Sequence, residues 1–193
     1  MLRNSSRARG VGNDDLFGFY TNSPAGFDNV SAEHGINEDS WALASTASRY
    51  LRSIGAPVSG QYYVIHTSPQ FVPVTPGEWY EFSVLTGVHR AIGQCSIFWL
   101  NASYTPIAAV TGAVANNNEK PGGTTLADWK RVGGFAQAPA GAAYAFVQAG
   151  LYTQTEANAY VFLDQFYLGR AYAGQTSFSA WTDGSVFISN TAQ

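Results

Sequence analysis

The chain has 193 residues, of which 12% are charged and 15% aromatic, with a formal net charge of -3. This length supports one sizeable core with appended arms. The acidic balance sets nucleic acid aside as the main partner. No apolar run approaches the roughly 20 residues of a spanning helix, so no membrane insertion is expected.

Charge at about half the usual share, with abundant Tyr, Phe, Ala, Ser and Thr, favours an all-β fold over a helical bundle. It also suits a protein covered by neighbours in an assembly. Met1, Leu2, Arg3 and Asn4 lead into two serines, without the apolar centre of a secretory leader. If Met1 is the native start, export by the general secretory route is not expected. Cys95 is the one cysteine, which rules out an intrachain disulfide. Its apolar surroundings predict a buried, inert thiol.

Residues 1–23 are polar and Gly-rich, and read as an arm. Arg3, Arg7 and Arg9 make it basic, and Phe17, Phe19 and Tyr20 give it one short piece able to pack. Pro24-Ala25-Gly26-Phe27-Asp28-Asn29 marks entry to the domain. Residues 33–40 read as a loop, and Trp41, Leu43 and Ala44 begin the first apolar segment. Gln61-Tyr62-Tyr63-Val64-Ile65-His66 predicts a strand. Pro73 among Phe71, Val72 and Val74 predicts a sheet edge or bend.

From Trp79 onward the pattern alternates. Tyr80, Phe82 and Val84 fall on one face, and Glu81 and Ser83 on the other, as in a half-buried antiparallel strand. Residues 95–100 and 106–111 bracket Asn101-Ala102-Ser103-Tyr104, a hairpin connection. Residues 114–125 predict a long loop. Three more strands are expected over 129–135, 143–149 and 160–168. Short strands with regular turn signals predict a sandwich or barrel. Beyond it, Phe178, Trp181, Val186, Phe187 and Ile188 are spaced as one or two extra strands.

Catalytic signals are missing. His34, His66 and His89 lack metal-ligand spacing, and there is no nucleophile elbow or phosphate-cradling glycine loop. Glu78, Glu81, Asp128 and Asp164 pair only on paper, and nothing selects two of them as a glycosidase pair. The expectation is a non-enzyme.

Five motifs occur in a telling order: Phe27-Asp28; Pro76-Gly77 before Tyr80-Glu81-Phe82-Ser83; Trp129; Ala138-Pro139-Ala140-Gly141-Ala142; and Tyr160-Val161-Phe162-Leu163-Asp164-Gln165-Phe166-Tyr167-Leu168. This grammar resembles the jelly-roll carbohydrate-binding modules of glycoside hydrolases and bacteriophage tail proteins, over residues 24–168. The resemblance implies an antiparallel jelly-roll β-sandwich over 24–170, between an N-terminal arm (1–23) and a C-terminal extension (171–193).

The resemblance also implies a structural calcium shared by Asp28 and Asp164, with backbone carbonyls completing the shell. Gln165 stands where the family often has a second acid. The alternative is that Asp164 caps a turn or accepts from backbone amides without metal. If Tyr160, Phe162, Phe166 and Leu168 face the core, Asp164 shares their face.

Sugar binding in such modules uses exposed aromatic platforms, with nearby Asn, Gln, Asp or Arg side chains bonding the sugar hydroxyls. The candidates are Trp79, opposite the Tyr80-Phe82-Val84 face, with Tyr63 and Tyr104; Trp129 is expected in the core. The expected role is a non-catalytic phage virion component, such as a tail fibre, baseplate or head-decoration protein. Its partners would be cell-surface or polymeric glycans and other virion proteins, and it would be a homo-oligomer. The alternatives are a glycan-binding module of a secreted hydrolase, located outside the cell, and a purely structural assembly domain.

Overall fold

A computed structural model describes residues 71–115, 125–154, 156 and 159–180, with the backbone of three further strands at 19–22, 49–53 and 63–67. The described strands form two antiparallel sheets. One runs β1 (Phe19–Asn22), β3 (Tyr63–Thr67), β9 (Tyr144–Gln154), β6 (Ala91–Leu100), β7 (Pro106–Thr111), with β4 (Val72–Pro73) also paired to β9. The other runs β2 (Arg49–Ser53), β10 (Ala159–Ala171), β5 (Trp79–His89), β8 (Lys130–Gln137). Among the described residues no α-helix occurs, only a 3-10 turn at Leu126–Asp128. The architecture is an all-β sandwich, as the turn-punctuated sequence predicts, and a jelly roll, as the resemblance implies.

The core lies between the sheets. Phe82 and Val84 of β5 meet Ile97 and Trp99 of β6, and Leu163 and Leu168 of β10 close over them, all essentially buried. Each such side chain contributes about 1.5–3 kcal/mol by leaving water. Tyr80 stands edge-on to Trp99 with ring centroids 5.7 Å apart, and its hydroxyl accepts from Thr75 N. After β7 the chain crosses from one sheet to the other. Ala115 bridges Gly93 and Ala113 bridges Gly133. At this seam a β-carbon on Gly112 would overlap the backbone of Gly133, so the crossing is built on glycine.

Two expectations are corrected. The alternation of β5 predicts a solvated polar face, yet Glu81 and Ser83 are both 0% exposed. That face is covered by residues 172–180, which fold back over the sheet: Ser179 N and Gln175 Nε2 donate to Glu81. Asp164 does not share the core face. A β-bulge between Asp164 and Tyr167 puts Gln165 in the left-handed region (φ 49) and shifts the parity. Val161, Leu163, Phe166 and Leu168 therefore face the core. Phe162 packs on the other side with Leu85, Trp129 and Tyr160. Trp129 is buried, as expected, but in this second cluster, edge-on to Phe162 at 6.3 Å.

Part of the expected N-terminal arm belongs to the sheet, since β1 pairs with β3. Strand β2 lies where no strand is predicted. The expected 114–125 loop is described only at its two ends. Asp28, Trp41 and the expected strands beyond residue 180 lie outside the described residues.

Candidate functional site

The outer face of the six-stranded sheet gathers aromatic rings. In β9, Tyr144, Phe146 and Gln148 alternate with Ala145, Val147 and Ala149, which are fully buried in the core. The first set therefore points away from the sandwich. Phe98 of β6 pairs directly with Phe146, and their rings stack at 5.1 Å with 13° between planes. Phe71 leans on Phe146 from the other side at 5.7 Å. Tyr104, at the tip of the β6–β7 hairpin, stacks on Tyr144 at 4.6 Å and 20°, and touches Phe71 at 5.4 Å. Tyr104 is 51% exposed. A hydrogen bond with the Tyr144 side chain raises the pKa of its phenol, with burial a minor cause.

Polar groups continue the row along β6 and β7. Gln94 Nε2 donates to Ser96 Oγ at 3.3 Å, and Ser96 Oγ shares a 3.0 Å hydrogen bond with Thr111 Oγ1. Gln148 lies beside them, opposite Ser96 in register. Stacked rings flanked by amides and hydroxyls can cover the apolar face of a sugar and bond its hydroxyls.

The opposite outer face carries a closed polar network beside the Leu85, Trp129 and Phe162 cluster. Glu81 accepts from Ser179 N at 3.1 and 3.0 Å, from Ser179 Oγ at 2.8 Å and from Gln175 Nε2 at 3.0 Å. Arg131 donates to Ser83 Oγ (3.3 Å), to Gln165 O (3.2 Å) and to Gln165 Oε1 (2.8 Å). Burial lowers the pKa of this guanidinium, and the charges of Glu81 and Asp164 raise it again. Burial also raises that of Tyr167.

Asp164 is fully buried, and its Oδ1 accepts from Gln165 N at 2.7 Å. One backbone amide thus reaches the carboxylate. Arg131 supplies positive charge beside it. Among the described residues no cluster of three or more His, Cys, Asp or Glu assembles around a metal position. Asp164 is thus one of the two named calcium ligands, with an amide donor and a cation already at hand.

The structure does not bring the three expected platform residues together. Tyr104 belongs to the aromatic row. Tyr63 pairs with Leu151, whereas His66 pairs with Gln148, so Tyr63 is out of step with the row. Trp79 is half-buried at the start of β5, paired with Gln137 and Ala171 in the other sheet.

Sequence reasoning missed Phe71, Phe98, Tyr144 and Phe146. The large-small alternation Tyr144-Ala145-Phe146-Val147 carries a signal for two of them. For Phe98, set among Ile97, Trp99 and Leu100, only register separates the outer ring from the core.

No family profile and no curated protein matches the chain. Solved structures do. A family 4 carbohydrate-binding module superposes with a TM-score of 0.53 at 12% identity, covering 89% of this chain and 100% of the module. The enzymatically active domain of tailspike protein 4 from bacteriophage CBA120 gives 0.54 at 13% identity, over 88% of this chain and 21% of the tailspike. A Clostridium thermocellum xylanase 10B fragment (a family 22 binding module joined to its catalytic module, with xylohexaose) gives 0.51 at 10%, over 79% of this chain and 26% of the fragment. The chain thus spans about a fifth of the tailspike and a quarter of the xylanase fragment. Its fold is the jelly-roll sandwich of the carbohydrate-binding modules.

Proposed function

We propose that the protein is a non-catalytic glycan-binding module, and that Tyr104, Tyr144 and Phe98 form its platform over the buried ring of Phe146. One observation carries this reading: the aromatic row lies on an uncharged sheet. The six strands of that sheet contain no Asp, Glu, Lys or Arg. The second sheet holds Arg49, Arg52, Glu81, Lys130, Arg131, Asp164 and Arg170. Rings beside neutral hydrogen-bonding groups suit a neutral polysaccharide, since sugar hydroxyls need donors and acceptors but no counter-charge.

A panel of immobilised glycans tests the reading. Tyr144→Ala should weaken binding about tenfold, equivalent to roughly 1.4 kcal/mol, with the fold retained. A blank panel, or a variant that binds as the wild type does, rejects the platform. Trp79→Ala serves as the comparison; its place on the other sheet predicts unchanged binding.

Two settings are supported by the likenesses. The tailspike favours a virion component that attaches to surface glycans beside other virion proteins. The family 4 and xylanase modules favour a binding module of an extracellular hydrolase. Co-sedimentation with phage particles separates them. A homo-oligomer is supported by the uncharged edge strand β7, whose six residues are all exposed.

The proposed calcium at Asp28 and Asp164 is supported by the full burial of Asp164. Chelation should then lower Tm, with recovery on adding calcium. An unchanged Tm would reject the calcium.

A further inference from the structure

Among the described residues, three non-glycine positions hold a left-handed backbone: Arg90 (φ 56), Tyr104 (φ 60) and Gln165 (φ 49). Two of them have evident polar anchors. Arg90 pairs with Glu156 at 3.5 Å, and Gln165 receives Arg131 through both of its oxygens. Tyr104 instead carries an exposed ring at a hairpin tip.

The hairpin geometry explains the backbone. Tyr104 N donates to Asn101 O at 3.0 Å, and Asn101 N donates to Thr105 O at 3.0 Å. Ala102, Ser103 and Tyr104 are therefore a three-residue loop, a turn followed by one left-handed residue. That last position is ordinarily glycine, because a β-carbon is strained there. This chain places its most exposed platform ring on that position. Asn101 Oδ1 accepts from Ser103 N at 2.9 Å and from Thr105 N at 3.0 Å. It thus fixes the loop on both sides of Tyr104.

We infer that Asn101 is a positioning residue, whose side chain holds Tyr104 in a strained, pre-set conformation for ligand contact. The inference rests on the glycan-binding reading. Backbone strain at an exposed residue brings no core packing in return, and strain of this kind gathers at binding sites. A ring fixed before the ligand arrives loses little freedom on binding. Tyr144 and Phe71 hold the ring from two sides, and Asn101 holds the backbone beneath it.

The test uses the full chain, retardation in gels containing soluble xylan, galactan or mixed-linkage glucan, and thermal melting of the same samples. The wild type is the first arm: no retardation by any of the three rejects the glycan reading, and this inference with it. Given retardation, Tyr104→Gly should bind at least tenfold more weakly while melting at or above the wild-type temperature, because glycine relieves the strain. Asn101→Ala should bind several-fold more weakly. Asn101→Asp, which keeps the acceptor oxygen, should restore most of the binding. The inference is overturned if Tyr104→Gly binds normally, or if it melts several degrees lower. It is equally overturned if Asn101→Asp binds no better than Asn101→Ala. The glycan reading survives those outcomes as long as the wild type is retarded.

Discussion

At Gly133 the backbone runs at φ +138, and a β-carbon would overlap the carbonyl oxygen of Phe82 on the neighbouring strand. Gly77 also has a positive φ, +84, but faces open space. The pair separates two costs of replacing glycine. Gly77→Ala meets only the dihedral penalty, about 1 kcal/mol. Gly133→Ala must also push β8 away from its neighbour β5, and should cost on the order of 3 kcal/mol or more. Denaturant titration of the two variants checks the contrast. Equal losses would mean that the pairing of β5 with β8 yields freely at this point. Gly112 answers Gly133 across the seam between the sheets, and Ala113 N donates to Gly133 O at 2.8 Å. The approach that forbids a side chain is the one that makes the hydrogen bond.

At the scale of elements, the segment 172–180 decides the character of β5. Glu81 is a buried carboxylate whose donors come largely from that segment, and Phe178 stacks on Phe135 at 5.5 Å and 26°. Glu81→Ala removes the acceptor and leaves Ser179 N, Ser179 Oγ and Gln175 Nε2 to find water. The strap should loosen, at about 3 kcal/mol in global stability. Cleavage within 172–180 by a low-specificity protease should quicken, while Glu81→Gln, which keeps an acceptor oxygen, should be cut more slowly than Glu81→Ala. Cleavage at the wild-type rate in Glu81→Ala would show that Phe178 alone holds the strap.

Glu81 also marks how far the sequence could be read. The strands near Tyr80, Ile97, Val132 and Leu163 were legible because apolar alternation, β-branched residues and turn signals agree over several residues. The β6–β7 hairpin was legible from the Asn101-to-Tyr104 turn. The covering of Glu81 was not, because it depends on contacts 98 residues away in sequence. Nor was the bulge at Gln165, where one extra residue reverses the face of Asp164 without changing the residue pattern. Tyr104 was legible as an exposed turn aromatic. Its partners Phe98 and Phe146 were not singled out, because a ring on the outer face and one in the core share the same residue type.

Across the whole molecule the two sheets divide the work. One carries the charged residues, a latched polar network and the Trp129–Phe162 cluster; the other is uncharged and carries the Tyr104–Phe98 row of rings. Cys95 sits at the centre of that uncharged sheet, on the core side of β6 and fully buried. Burial pushes its thiol well above the ordinary range, against a smaller downward pull from Arg131. Only the thiolate reacts with alkylating reagents, so modification requires the sheets to part. With global stabilities of about 5–15 kcal/mol for domains of this kind, native Cys95 should be labelled at least a thousandfold more slowly than in denaturant. Labelling and loss of tryptophan fluorescence should share one midpoint in a urea titration. If Cys95 reacts at lower urea while the fluorescence holds, β6 opens locally at Cys95 while the core around Trp99 of the same strand stays packed.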